Sequence, residues 1–325
     1  MKVLAGDVGA TSSRLAIVEV TAGGARILYR ERFPSQDFPG LAPIVRRFLA
    51  DAGSEVDRAG FGVACPVIEG DCTTPNLPWT ISTPSLAREI GIPRTALIND
   101  LQAVGHGLGW LRPEELVTLQ SGEPDPRGVV AIIAAGTGLG EAFLVWEGDR
   151  YQVHVSEGGH AGYAPNSTLE CGLLGFLRAE FGHVSRERVL SGPGLVSIYR
   201  YLTASGHASE AVGVQSEMKH EDPAAVISRH ALAGTDPLCV KTLDVFASAY
   251  GAQAGNLALT VMATGGVYLG GGIAHRIVGK LGDGTFVTAF NAKGRLADLL
   301  AKVPVHVIVN PNAGLLGAAA VAARL

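Results

Sequence analysis

A chain of 325 residues exceeds one ordinary core, so two domains or a duplicated one is the first expectation. With 47% apolar residues, 17% charged and a net charge of -4, it can bury a sizeable interior, but it lacks the basic face that binds phosphate backbones, which excludes a nucleic-acid partner. The four cysteines, Cys65, Cys72, Cys171 and Cys239, form no C-x-x-C pair and read as reduced cytosolic thiols, neither a disulfide framework nor a zinc site.

The first thirty residues predict an antiparallel meander, with strands at 3–5, 14–20 and 26–29 and turns at 7–10 and at Gly23-Gly24. The apolar start breaks at Asp7, too early for a secretory leader. A helix follows with Leu41, Ile44, Val45, Phe48 and Leu49 on one face and Gly53 past its end, then a strand over 61–65. A second helix opens after Thr83 with Pro84 and stops at Gly91, and residues 95–98 run as a buried strand into Asn99-Asp100. The polar stretch 120–128 is the candidate boundary, because strand, glycine turn and strand then start over at 129–135, 136–140 and 142–146. Halves that open alike imply a duplicated architecture. Residues 203–223 read as an exposed loop. Between Asp244 and Arg276 there is no charged residue, yet seven glycines with Gln253 and Asn256 predict a buried helix, a strand and a Gly-rich turn rather than a membrane span. A strand at 305–309, a turn and an Ala-rich helix close the chain.

Two Gly-rich turns between strands, around Gly9-Ala10-Thr11 and Gly136-Thr137-Gly138, let backbone N–H groups approach phosphate oxygens, with hydroxyls from Thr11 and Thr137. Neither is a Walker loop, since no G-K-[ST] follows, nor a dinucleotide fingerprint, since a strand follows Gly140. Asp7, beside the first turn, can hold the water shell of a Mg²⁺ on nucleotide phosphates, or merely stabilise the turn. Gly271-Gly272, after a strand and before a helix, can admit an adenosine. Asn99-Asp100 lies between a strand and a helix, where open α/β sheets place ligand groups. Asp is also a preferred helix N-cap, the bland alternative. The helix N-terminus would keep the Asp100 carboxylate ionised and able to accept a proton. Glu157 and His160 flank two glycines and together can fix a vicinal diol; Glu187 is a third polar group, or a solvated helix-face charge.

In order, the segments Gly6-Asp-Val-Gly-Ala-Thr11, Ala64-Cys-Pro-Val67, Asn76-Leu-Pro-Trp79, Leu97-Ile-Asn-Asp100, Gly136-Thr-Gly-Leu-Gly140, Glu157-Gly-Gly-His160, Ala164-Pro-Asn166, Glu187-Arg-Val-Leu-Ser-Gly-Pro-Gly194 and Gly314-Leu-Leu-Gly317 resemble the bacterial glucokinases of the hexokinase branch of the actin-like ATPase superfamily. The likeness runs nearly end to end. It implies an α/β fold of two ribonuclease-H-like domains with a cleft between them, a smaller one at 1–110 joined by the C-terminal helix at about 310–325, and a larger one at 111–309. It implies ATP-dependent phosphorylation of D-glucose at the 6-hydroxyl, with Mg²⁺, in a cytoplasmic homodimer that binds neither nucleic acid nor membrane. Asp100 would be the catalytic base, and Asn99, Asp100, Glu157, His160 and Glu187 would grip the sugar. Asp7, Gly9, Ala10, Thr11, Gly136, Thr137, Gly138, Gly271 and Gly272 would hold ATP, with Asp7 on the metal. The sequence departs from the family where Ala10 replaces a usual glycine and Ser12 a usual Asn. It also lacks the Cys-rich zinc motif of repressor-like sugar kinases, so no structural zinc is expected. The competing readings are a kinase for mannose or fructose, a polyphosphate-using kinase, and a sugar- or ATP-binding regulator without catalysis. A helix-turn-helix regulator would need residues ahead of a strand that already begins at Val3.

Overall fold

The computed structural model describes residues 1–21, 24–74, 77–207 and 211–325; Gly23 of the second expected turn and Asn76 of the resemblance lie outside them. The alternating N-terminal segments form β1 (Lys2–Val8), β2 (Ser12–Thr21) and β3 (Gly24–Pro34), an antiparallel meander. Helix α1 (Leu41–Ala52) turns its apolar stripe inward and ends on Gly53 in the left-handed conformation, φ 55°. β4 (Arg58–Val63) pairs parallel to β1. β5 (Asp71–Thr73) and β6 (Thr80–Ser82) form a small hairpin before α2 (Thr83–Ile90). β7 (Arg94–Asn99) joins parallel to β4 and leads into α3 (Asp100–Gly107). The sheet order is β3-β2-β1-β4-β7. Only Leu97 of β7 is buried, so the expected buried strand is half-covered.

The second stretch begins with β8 (Leu116–Gln120), β9 (Val130–Ala135), β10 (Leu139–Glu147) and β11 (Arg150–Ser156). Five helices follow, α4 (Thr168–Phe181), α5 (Gly192–Ala204), α6 (Val212–Met218), α7 (Pro223–Ala233) and α8 (Pro237–Val261). Helix α6 occupies part of the polar stretch 203–223, where the sequence suggested only a loop; a single buried residue, Val214, anchors it, too faint a period to read. Then come β12 (Gly266–Gly270), α9 (Gly271–Arg276), α10 (Val278–Leu281), α11 (Thr285–Asn291), α12 (Ala297–Ala301), β13 (Val305–Ile308) and the final α13 (Ala313–Ala322). The uncharged run around α8 is a core helix, whose Tyr250 hydroxyl donates to the Ile133 carbonyl at 3.0 Å. Among the described residues no helix is long and apolar enough to cross a membrane.

The second sheet runs β11-β10-β9-β12-β13-β8, with β10 antiparallel to β9 and β9, β12 and β13 mutually parallel. Apart from the added β8, this repeats the first sheet strand for strand, as a duplicated ribonuclease-H-like core requires. The chain divides into two units, residues 1–115 with 153–155 and 310–325, and residues 116–152 with 156–309. The division falls ahead of the polar stretch 120–128, because β8 already pairs with β13.

In the first unit, alternation buries both faces of β1 and β2. Leu4, Leu15 and Ile17 pack with Phe48 of α1, while Val3, Ala5, Ala16 and Val18 pack with Leu315, Ala318, Ala319 and Ala322 of α13. A Cβ on Gly317 would collide with the Ala103 carbonyl oxygen, so the α3–α13 crossing is as close as backbones allow. Cys65 and Cys72 are joined as a disulfide, Cα atoms 6.2 Å apart, correcting the expectation of four free thiols. The turn at Ile68–Asp71 brings Cys72 of β5 back to Cys65, just past the end of β4, a proximity that a seven-residue spacing does not announce.

Candidate active site

In each unit the predicted residues gather where parallel strands end, the position that open α/β sheets use for ligands. In the first unit, Asp7 is the penultimate residue of β1, and its Oδ2 accepts from Arg14 Nη2. The hairpin register puts these residues opposite each other, and Arg14 Nη1 also donates to the Pro311 carbonyl at 2.7 Å. A Cβ on Gly314 would stand 3.3 Å from the same Oδ2, so the chain after β13 walls off one side of Asp7. Arg14 was not anticipated, although counting back across the Gly9–Ser12 turn pairs it with Asp7.

The first Gly-rich turn is held from within. Gly9 N–H donates to the Ser12 carbonyl at 3.1 Å, and Ser35 Oγ donates to the Gly9 carbonyl at 2.7 Å. Gly9 therefore shapes the turn from within, and Thr11 is exposed at its tip.

Asn99 and Asp100 divide two tasks that the sequence left together. Asn99 is the N-cap of α3: its Oδ1 accepts from Leu101 N–H at 3.0 Å and Gln102 N–H at 3.3 Å, and its Nδ2 donates to the Cys65 carbonyl at 3.3 Å. Asp100 is then not the cap but the first helical residue, with one oxygen accepting from Leu101 N–H at 2.8 Å. Burial, and then the charge of Asp7, push its carboxyl up to about 6 against the pull of those hydrogen bonds. Burial and the Asp7 charge outweigh the hydrogen bonds at the helix N-terminus, yet at about 6 the carboxyl is still mostly ionised at neutral pH, as expected of a group that accepts a proton.

In the second unit, Gly136, Thr137 and Gly138 form the turn between β9 and β10, closed by Gly136 N–H donating to the Gly138 carbonyl at 2.9 Å, with Thr137 exposed at its tip. Glu187 is not a solvated charge: its Oε2 accepts from Leu139 N–H at 2.9 Å and rests against Gly138. Glu157 and His160 lie on a short 3-10 turn with Nε2 and Oε2 3.7 Å apart, and both side chains are mostly exposed, at 72% and 62%. Gly271, at φ 84°, lies so close to the Ala135 carbonyl that a Cβ would collide with it, which seats the β12–α9 turn beside Gly136; Gly272 has open space around it. Behind the 157–160 turn stand Glu141, Arg186 and Gln253, none of them anticipated.

Two ribonuclease-H-like units, each with a Gly-rich hairpin turn and acidic groups at strand ends, define a phosphotransferase of the actin-like ATPase class. The glucokinase family model matches residues 4–325. A glucokinase from Nostoc sp. is 43% identical over 339 residues, covering 99% of both chains. One from Salmonella typhi is 37% identical over 317 residues, covering 98% of this chain and 95% of its own. The crystal structure of glucokinase from an Antarctic psychrotroph superposes with a TM-score of 0.87 at 32% identity, covering 100% of this chain and 99% of that one. The chain belongs to the glucokinase family, enzymes of ATP-dependent glucose phosphorylation.

Proposed function

We propose that the chain transfers the terminal phosphoryl group of ATP to the 6-hydroxyl of D-glucose, with Asp100 as the general base. The observation that carries this reading is the division of labour at the start of α3. Asn99 caps the helix, so Asp100 is not needed for capping, and its carboxyl at about 6 sits close to working pH, where a base is most effective. Phosphoryl transfer has a loose transition state, so most of the rate comes from alignment and charge neutralisation. Asp100 orients the attacking hydroxyl and takes its proton late. Glu157 and His160 hold sugar hydroxyls, with Asn99 and Glu187 completing the grip. Thr11, Thr137 and the amides of the two Gly-rich turns, Ala10 included, face the phosphates, and Gly271-Gly272 leave room for the nucleoside.

Mg²⁺ supplies charge neutralisation on the phosphates when bound. The donor set fits it through one carboxylate, that of Asp7, already steadied by Arg14. An ion that takes most of its ligands from phosphate and water needs no more than that. We further propose domains at 1–110 with about 310–325 and at 111–309, a cytoplasmic location and a homodimer.

The test is ADP release with glucose, mannose, fructose, N-acetylglucosamine or no sugar, for the wild type and Asp100→Ala. Turnover concentrated on glucose, with kcat lowered by about 10² to 10⁴ in the variant, supports the reading. A variant within threefold of wild type removes Asp100 from the role, and sugar-independent hydrolysis removes the sugar.

A further inference from the structure

We propose that Glu141, Arg186 and Gln253 form a positioning device that sets the 157–160 turn and Glu187 at the spacing glucose requires. This rests on the proposal that Glu157, His160 and Glu187 bind the sugar. Glu141, on β10, has only 2% of its side chain exposed, and a buried carboxylate persists only when its oxygens are satisfied. Its Oε1 accepts from Gln253 Nε2 of α8 at 2.7 Å, and its Oε2 faces Arg186 Nη1 at 3.4 Å. The same Arg186 nitrogen donates to the Gly158 carbonyl at 3.1 Å, and Arg186 N–H donates to the Ala161 carbonyl at 2.9 Å. One guanidinium thus ties the turn carrying Glu157 and His160 to a charge fixed inside the sheet. The next residue, Glu187, is pinned to Leu139 on the very strand that carries Glu141.

The glycines of Glu157-Gly-Gly-His160 follow from the same arrangement. A Cβ on Gly158 would strike Glu141 Oε2, and one on Gly159 would strike the Leu139 carbonyl oxygen, while neither residue has a positive φ. They are glycine for space, because the turn is drawn down onto β10. Burial pushes the Glu141 carboxyl upward while Gln253 and Arg186 pull it back, so its charge depends on those two partners. The exposed side chains of Glu157 and His160 gain little placement from packing of their own. Recognition geometry must hold within about 0.5 Å, so the backbone beneath them has to be fixed from below.

The experiment is steady-state kinetics on the full chain for Glu141→Gln, Arg186→Met, the double variant and Gln253→Leu, each with a thermal melt. Glu141→Gln should raise the KM for glucose about tenfold or more, the scale of one charge-assisted hydrogen bond, with kcat and the KM for ATP within about threefold. If Glu141 acts through Arg186, the double variant should match Arg186→Met alone. A folded Glu141→Gln protein with glucose KM within twofold of wild type overturns the proposal, as do effects that simply multiply in the double variant. Should Glu141→Gln fail to fold, Gln253→Leu decides: a several-fold rise in glucose KM supports the device, and no change overturns it. Glu157→Gln separates the two levels. An unchanged glucose KM there sinks the sugar assignment of the turn, whereas a raised one beside an unaffected Glu141→Gln sinks the positioning role alone.

Discussion

Replacing Asp100 by Asn should make the protein more stable at neutral pH while it loses activity. The folded chain raises the Asp100 carboxyl from 3.8 to about 6, through burial first and the Asp7 charge second. By linkage that rise is worth about 3 kcal/mol, an upper figure for a side chain that is only partly buried. Because the folded state holds this proton more tightly than the unfolded one, the stabilising contribution is complete below pH 3.8 and is lost as pH rises through about 6. At pH 7 the wild type therefore bears the whole cost of an ionised Asp100. Asn keeps the shape and cannot ionise, so Asp100→Asn should gain up to about 3 kcal/mol at pH 7 but only about 1 kcal/mol at pH 4.5. Thermal melts of both proteins from pH 4.5 to 7.5, without nucleotide, measure the difference, and groups common to both cancel. The same residue predicts an acid limb in kcat/KM for glucose, falling about tenfold per pH unit below about 6, and absent in the variant's residual activity. An Asn variant no more stable than wild type at pH 7, or stabilised equally at both pH values, would refute this account of the site's electrostatics.

Three other perturbations follow from the packing around that site. Arg14→Leu strips Asp7 of its counter-charge, so Asp100 should feel a stronger negative neighbour and the acid limb of kcat/KM should move to higher pH; an unmoved limb counts against the Asp7–Asp100 coupling. Thiol titration of the unfolded, unreduced protein should find two thiols, Cys171 and Cys239, and four after reduction, with the reduced form less stable by about 2–3 kcal/mol for so short a loop. Four thiols before reduction would refute the pairing. Gly317→Ala forces a methyl group against the Ala103 carbonyl, so it should cost about 1–3 kcal/mol and lower kcat as well, because α3 begins with Asp100; an unchanged melt and rate would show that the crossing has slack.

Much of this architecture is written in local patterns. Period-two alternation around two glycine turns was enough to expect both hairpins, and their recurrence after residue 128 was enough to expect the duplication. Patterns fail where a contact joins distant segments. Nothing near Cys65 shows that a turn at Ile68–Asp71 returns Cys72 to it, and nothing near β8 shows that its partner is β13, nearly two hundred residues on. Asp100 was legible as a carboxylate placed after a strand but not as a titration, because its pKa is set by burial and by a residue on another strand.

The unanticipated site residues have a common physical cause. Glu141 lies within a strand whose alternation reads as ordinary, Gln253 sits in a helix with almost no charge, and Arg186 adjoins a residue that claims the attention itself. Each is informative only through the others, since a buried carboxylate implies partners but not their places in the chain. The trace they leave in the sequence is indirect: two adjacent glycines between a Glu and a His, neither needed for a left-handed backbone. Such a pair, where helix, strand and turn propensities all give no reason for it, is the mark of a backbone held close against something buried. Here that something is the Glu141 carboxylate and the Leu139 carbonyl.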